Sequence, residues 1–224
     1  LFYALGEVIL IIVGILIALQ ISNWNEQRKV MVKHQVYLTN LHKDVQLTIE
    51  GLNNFEQWIN HFNASTMPVI DFLDSEQTRP IDKEAFEKGI RNLPFSSFPQ
   101  VYIGLLGQLL EGDTELININ PLLAKSALKM ESEVEINLEV VSRIAESFHK
   151  HVANTQHYLG YLEVSSKTQI HYDLSLIKKQ PQFKYAVMNI ITSRKGMMIY
   201  SNKIRDVLEV FQKDLEKTLN KKVN

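Results

Sequence analysis

Glu146 and His149 have the most metal-like spacing in this sequence. A Glu-x-x-His spacing places both side chains on one side of a helix, as in di-iron bundles, which need a second such motif and two further inward carboxylates. The sequence has a single motif of this kind. The hydrophobic periodicity through Ile144, Phe148 and His151 also turns the motif away from a helical core. We therefore predict no metal site and no cofactor.

The other residues that could do chemistry give weaker signals. His149, His151 and His157 cluster in the sequence and could sense pH or bind a metal, although solvated histidines, with one satisfied in the core, are the commoner case. A phosphate-binding glycine loop, a G-x-S-x-G elbow and an H-E-x-x-H motif are all missing from the sequence. We therefore predict no catalytic residues and a protein that is not an enzyme.

Composition narrows the functional classes further. The 224 residues carry 24 basic and 25 acidic side chains, a formal net charge of −1, so the chain lacks the basic surface that nucleic-acid binding requires. Cysteine is absent from the sequence, which excludes disulfides and thiolate metal sites. With 9 glycines and 6 prolines, the composition is typical of a helical protein.

Six aromatic residues gather near the far end of the first predicted helix and in the proline-containing region after it. They could line a ligand pocket, or they could pack short helices against a bundle, and the second arrangement is the commoner one. The six residues are Phe55, Trp58, Phe62, Phe95, Phe98 and Tyr102.

An apolar run from Leu1 to Ile21 opens the chain. Tyr3, Glu7 and Gln20 are its only members that are neither apolar nor small. About 20 apolar residues cross the hydrocarbon of a bilayer, and no small-residue cleavage site comes after the run, which disfavours a secretory signal. We predict a retained transmembrane helix over residues 1–23. The basic residues just after it would, by themselves, favour the cytoplasm for the domain on that side of the membrane.

Several residues of this segment are candidates for specific roles in the membrane. Glu7 either snorkels to the nearby interface or lines a contact with another membrane helix beside Gly6. Gly14 and Ala18 form a small-xxx-small pair that lets a second helix approach closely. Trp24 lies where an interfacial aromatic residue belongs. The predicted membrane-helix contacts are therefore Gly6, Glu7, Gly14 and Ala18, with Trp24 as the interfacial anchor.

The segment Tyr3–Lys29 resembles the N-terminal signature of a family of bacterial single-pass inner-membrane proteins of unknown function. Their pattern is Tyr-Ala-(Ile/Leu)-Gly-Glu, then an apolar run with Gly-Ile-Leu-Ile-Ala-Leu-Gln-Ile, then Asn-Trp-Asn-Glu and a basic pair. The matching positions are Tyr3, Ala4, Gly6, Glu7, Gly14–Ile21 and Asn23–Glu26. The resemblance implies a short basic cytoplasmic tail before Leu1 and a helical domain in the periplasm. It implies no known activity.

Three later stretches alternate apolar residues at spacings of three and four, which predicts three long helices. The first continues from the membrane segment to about Phe62, the second runs from Asn120-Pro121 to about Leu162, and the third begins near Pro181. The predicted seam comprises Leu38, Leu41, Val45, Leu52, Phe55, Val134, Val141, Ile144, Phe148, Ile204, Leu208 and Phe211. Polar seam residues would set the register: His34, Asn137, His151, Arg194 and Ser201.

The predicted fold is therefore all-α, with an anchor over residues 1–23 and an elongated up-down-up bundle over residues 24–224. A proline-containing insertion over residues 63–120 carries short helices between the first two long ones, and residues 165–179 form a connection. The predicted short helices are Met67–Leu73, Asp82–Leu93, with Asp82 as its N-cap, and Gln100–Leu110.

These features predict a membrane-anchored interaction or scaffolding protein without catalytic activity. Its expected partners are the lipid bilayer and either further copies of itself or another membrane protein, but not nucleic acid. The alternative is a sensor domain that binds a small ligand between its helices and signals through the membrane helix. A membrane-bound hydrolase has no supporting motif.

Overall fold

One helix, α1 (Phe2–Asp74), opens the chain in a computed structural model that describes residues 2–102, 120–164 and 167–220. The predicted end of the first helix near Phe62 is wrong, and the short helix predicted over Met67–Leu73 is the end of α1. Pro68 lies inside the helix, where proline costs about 3 kcal/mol. Burial of the neighbouring Val69, Phe72 and Leu73 outweighs this cost, at about 1.5–3 kcal/mol for each side chain.

The remaining helices begin where the sequence places caps. In α2 (Lys83–Asn92) the Asp82 carboxylate accepts the Ala85 N–H at 2.9 Å. In α3 (Pro121–Gln156) the Asn120 side chain accepts the Leu123 N–H at 3.1 Å. These Asp82 and Asn120 caps agree with the predicted helix starts. Among the residues that the structure describes, no helix contains a stretch that is both long enough and apolar enough to cross a membrane.

The second half contains a hairpin that the sequence patterns did not predict. α3 ends at Gln156, and the antiparallel strands β1 (Gly160–Val164) and β2 (Lys167–His171) come next, with Gly160 opposite His171. The predicted extension of the second helix to Leu162 and the plain connection over 165–179 are therefore wrong, because spacings of three and four can occur by chance in a short strand. Helices α4 (Leu174–Lys179) and α5 (Pro181–Asn220) complete the described chain.

The three long helices do not run up, down and up. α5 is antiparallel to α1, because Arg205 pairs with Glu56 at 2.7 Å and Glu216 with His42 at 3.1 Å. α5 is also antiparallel to α3, because Ser126 donates to Asp214 at 2.8 Å and Ile144, further along α3, lies 3.3 Å from the Cβ position on Gly196, which comes earlier in α5. α1 and α3 are therefore parallel, so the chain must return along the bundle between them.

The residues Leu93–Tyr102, here called the strap, make part of this return. Phe95 stacks on Phe62 of α1 and Phe98 on His149 of α3, each with ring centroids 6.0 Å apart. The Tyr102 N–H donates to the Thr48 hydroxyl at 3.0 Å. A strap of this length reaches about 33 Å when extended. It therefore lies along the groove between α1 and α3. Of the helix predicted over 100–110, residues 100–102 are not helical, and residues 103–110 lie outside the described residues.

The core forms two clusters along the bundle. They divide between Leu52 and Phe55 on α1, and between Met197 and Ile204 on α5, where Ser201 lies. On α3 the half-buried Asn137 lies at the same division. Of the predicted seam, Ile144 is partly buried, and the buried members are Leu38, Leu41, Val45, Leu52, Phe55, Val134, Val141, Phe148, Ile204, Leu208 and Phe211.

Candidate functional site

The lower part of α1 projects below the bundle. Leu38 is the first α1 residue of the buried core, and the segment before it is here called the projecting segment (residues 7–37). Every residue from Leu10 to Ile21 is exposed, and the large apolar side chains range from 47% for Val13 to 76% for Leu10. A helix that is apolar all round and packed on nothing needs another apolar environment.

The predicted membrane contacts lie within this helix. Gly6, Glu7, Gly14 and Ala18 all belong to α1, and the side chain of Glu7 is exposed. Apart from its chain neighbours and the backbone of its own helix, no atom of the described residues lies within 4 Å of the position that a Cβ on Gly14 would occupy. Trp24 is 65% exposed. Glu7, Gly14, Ala18 and Trp24 are therefore open to a partner that the described chain does not supply.

A fully buried arginine organises the opposite end of the bundle. Arg194 of α5 donates from Nη1 to the Thr66 hydroxyl at 3.2 Å. Its Nη2 donates to the carbonyl groups of Asn92, Leu93 and Phe95 at 2.5, 3.0 and 2.8 Å. These carbonyl groups end α2 and begin the strap. One side chain therefore joins α1, α2, the strap and α5.

The electrostatics of Arg194 are unusual, because its hydrogen-bond acceptors are neutral. Burial lowers the pKa of the guanidinium to about 10, and its Nε has no hydrogen-bond partner among the described residues. The carbonyl groups at the C-terminal end of a helix carry a partial negative charge, which partly replaces a carboxylate. The faces of Phe62 and Phe148 lie 5.5 Å from the guanidinium carbon and add a cation–π attraction.

The six aromatic residues divide between the core and a surface. Phe55 and Phe62 are buried, whereas Trp58, Phe95, Phe98 and Tyr102 are 46–56% exposed. We call these four exposed residues the aromatic surface. They lie on the strap and on the adjoining side of α1, since the ring of Trp58 contacts that of Phe62 at 5.3 Å. The aromatic cluster is therefore neither a closed ligand pocket nor simply part of the core.

The candidate metal ligands have other roles where the structure shows them. Glu146 and His149 are exposed on α3, and His149 stacks against Phe98. His151 is half-buried with its ring 6.1 Å from that of Tyr185, and His157 is exposed. Among the residues that the structure describes, no three His, Asp or Glu side chains lie close enough together to hold a metal ion.

The similarity to known proteins is concentrated in α1. DUF6090, a family of unknown function, matches residues 7–74. The match covers the projecting segment and the rest of α1, and stops before α2. It confirms a similarity to an uncharacterised family in this region, while the bacterial membrane character implied by the N-terminal signature stays a prediction. No curated protein and no solved structure matches this chain significantly.

The sequence indicated Arg194 only as a polar residue in a hydrophobic seam. Its role in joining four elements could not be predicted, because most of its acceptors are backbone carbonyl groups that every residue possesses. The signal that could have identified it is a lone arginine in an otherwise apolar stripe, since a buried charge requires several partners. The strap had a weaker signal in Pro94 and Pro99, which favour extended backbone.

Proposed function

We propose that this chain is a membrane-anchored helical interaction protein without catalytic activity. The observation that carries the proposal is that every residue of the apolar segment Leu10–Ile21, near the start of a continuous helix, is exposed. In the sequence the apolar run begins earlier, at Leu1, which gives about the 20 residues that a bilayer requires. In this proposal residues 1–23 insert into lipid, with Trp24 at the interface.

The bundle over residues 24–224 then stands on the membrane as the interaction domain. Its aromatic surface and the lower part of α1 offer exposed apolar groups to other proteins, and aromatic side chains are enriched where proteins bind each other. The proposed location is a bacterial inner membrane with the bundle in the periplasm. The support for this sidedness is the resemblance of Tyr3–Lys29 to the single-pass family.

Vesicle flotation tests the anchor. The purified full chain, mixed with detergent-solubilised lipid and dialysed, is expected to float with the vesicles and to resist washing at high pH. A variant with Ile12→Lys and Leu16→Lys is expected to stay in the aqueous fraction, because a lysine at the helix centre costs about 2.5–3.5 kcal/mol on insertion. The matched control Gln35→Lys lies on the exposed part of α1 above Trp24 and should float like the wild type. Full-length protein that stays in solution without detergent would contradict the anchor.

A small-ligand sensor is the second candidate function. A cavity of about 290 Å³ between the end of α1 and the loop before α2 favours it, lined in part by Pro68, Asp71, Phe72 and Ile81. This volume is at the lower end for small-molecule sites. A metabolite that increases the melting temperature in a saturable manner would support a sensor. If the ligand binds in this cavity, the increase in melting temperature should disappear in Phe72→Ala.

A further inference from the structure

We propose that the outer face of α1 is the contact surface between two parallel copies of this chain; this inference rests on the membrane anchoring proposed above. The outer face comprises Glu7, Gly14, Ala18, Asn25, Val32, Val36 and Leu47.

The helical geometry places these residues together and away from the bundle. At about 100° per residue they fall within an arc of about 60°. The buried α1 stripe, which includes Leu38, Val45 and Leu52, lies about 180° from the centre of that arc. Val32 and Val36 are each 56% exposed, and Leu47 is 43% exposed. The fold of one copy therefore leaves this face uncovered.

Over residues 7–32 the spacing at the outer face is that of a parallel coiled coil. Ile11, Ala18, Asn25 and Val32 are seven residues apart, and Glu7, Gly14, Ile21 and Arg28 form the second heptad position, three or four residues away. Ile21 and Arg28 lie at the border of the outer face, about 50–70° from its centre, and Val36 and Leu47 continue the face at the period of a straight helix. A single asparagine at the first of these heptad positions fixes the register of a parallel pair. Asn25 therefore indicates an identical helix beside it rather than an unrelated one.

The charged residues along this face are compatible with such a pair. An ionisable residue inside a membrane segment nearly always faces another helix, and Glu7 lies on the same face as Gly14 and Ala18. Two copies would bring their Glu7 carboxyl groups together, where they can share a hydrogen bond. Arg28 lies one helical turn past Trp24, at the level of the anionic lipid headgroups, which neutralise its charge.

The extent of the face also fits a second copy. From Gly14 to Leu47 the face is about 50 Å long, because each residue rises about 1.5 Å. A width of about 10 Å, one helix diameter, gives about 500 Å² per copy and about 1,000 Å² in total, which reaches the lower limit for a specific interface. Lys29 and Lys43 lie on the face within this stretch, and their long side chains can place the ammonium groups in water. Anchoring in one membrane makes any two copies parallel, as Asn25 requires.

Single-cysteine cross-linking of the full chain in lipid vesicles tests the contact, because the wild-type sequence has no cysteine. Asn25→Cys and Val32→Cys should each form a disulfide-linked dimer as the main product under mild oxidation. The matched control Gln27→Cys lies on the same exposed stretch of α1 but about 180° from the centre of the face, and should remain monomeric. Equal cross-linking at all three positions, or none at any of them, would overturn the proposal.

A second measurement keeps the contact separate from the anchor and from folding. Val32→Asp with Val36→Asp should convert the dimer to a monomer in native mass spectrometry and leave the melting temperature of the bundle unchanged, because both side chains are exposed. Flotation of each variant reports on the anchor. Chain that floats but shows no face-specific cross-link disproves only the dimer, whereas chain that fails to float disproves the anchoring itself.

Discussion

Arg194 shows how one residue can join four elements of a fold at a single point. A buried arginine without a carboxylate would be costly, yet here three carbonyl groups and the Thr66 hydroxyl accept its protons. Those carbonyl groups end α2 and begin the strap. The carbonyl groups need donors as much as the guanidinium needs acceptors, because unpaired buried polar groups of either kind destabilise a fold.

Arg194→Met should therefore release the strap. The substitution removes the cost of burying a charge but leaves the carbonyl groups of Asn92, Leu93 and Phe95 unpaired, and the second effect is larger. We expect a loss of about 2 kcal/mol in the free energy of unfolding and faster chymotrypsin cleavage at the strap aromatics. The matched control is Lys195→Met, which changes an exposed neighbour and should alter neither quantity. Unchanged proteolysis in Arg194→Met would show that the strap is held by other contacts.

Tyr172 makes stability depend on pH in the alkaline range. Burial and the hydrogen bond to Glu87, at 3.0 Å, raise the pKa of the Tyr172 hydroxyl from 10.0 to about 12. The folded state therefore keeps this proton where the unfolded state loses it. The stabilisation is complete below pH 10 and disappears as the pH rises towards 12. The lowered pKa of Arg194 acts in the opposite direction over the same range.

Tyr172→Phe isolates the tyrosine, since Arg194 is present in both proteins. At pH 8 we expect the variant to be less stable by about 1 kcal/mol, because it loses the hydrogen bond. Urea unfolding at several values between pH 8 and pH 11.5 should show this difference shrinking as the pH rises. A difference that stays constant would mean that Tyr172 titrates alike in the folded and unfolded chains.

At the scale of elements, α1 and α2 pack so closely at Gly89 that a larger residue has no space there. A Cβ on Gly89 of α2 would lie 2.7 Å from the Ser65 carbonyl oxygen and 2.7 Å from Cγ2 of Val69, both on α1. Gly51 of α1 differs, because among the described residues of other elements a Cβ there would meet the Gln100 carbonyl oxygen alone, at 3.4 Å. Both glycines lie in the interior of helices.

Alanine at these two positions should have opposite effects. Gly51→Ala gains up to about 1 kcal/mol of helix propensity at an ordinary contact distance, so urea unfolding should show an equal or more stable protein. Gly89→Ala has the same gain in propensity but forces backbone and side chain apart, at about 1–3 kcal/mol, and should be destabilised. If both variants changed stability in the same direction, the close contact between α1 and α2 would be disproved.

At the level of elements, the sequence was informative wherever one local signal decided the outcome. The side chains of Asp82 and Asn120 were sufficient to place two helix starts, because a cap acts within one turn. Pro68 misled, since Val69, Phe72 and Leu73 beside it are buried against distant parts of the chain, and this burial outweighs a local helix breaker. The relative direction of α1 and α3 depends on the path of the strap, which no periodicity records.

The candidate sites likewise differ in how much of each could be predicted from local sequence signals. The apolar run of the projecting segment could be predicted as a separate helical segment, because its composition and its length can be read directly from the sequence. The position of Arg194 in the seam could also be predicted from spacing. Its acceptors could not, because they come from the end of α2 and from the strap, which are brought to α5 only by the tertiary fold.

At the scale of the whole molecule, the bundle and the exposed apolar run of the projecting segment have separate structural roles. The buried α1 residues of both core clusters begin at Leu38. Tyr37, at the end of the projecting segment, packs against the cluster that contains Leu38, whereas every residue from Leu10 to Ile21 is exposed. The apolar side chains of that run therefore serve something other than the stability of the bundle. An anchor, or a contact between copies, requires such a separation. Truncation should therefore remove the exposed apolar run without unfolding the bundle.

A chain that begins at Val30 should therefore melt at the same temperature as the full-length protein and remain soluble without detergent. It keeps every residue of both core clusters and loses the exposed apolar run Leu10–Ile21. A chain that begins at Asp44 is the matched control. It also loses Leu38 and Leu41 from the core cluster that contains Leu52 and Phe211. This loss should lower the free energy of unfolding by about 3–6 kcal/mol and the melting temperature by well over 5 °C. If the chain from Val30 were destabilised as much as the chain from Asp44, the projecting segment would belong to the folded bundle, and its exposure could no longer support an anchor.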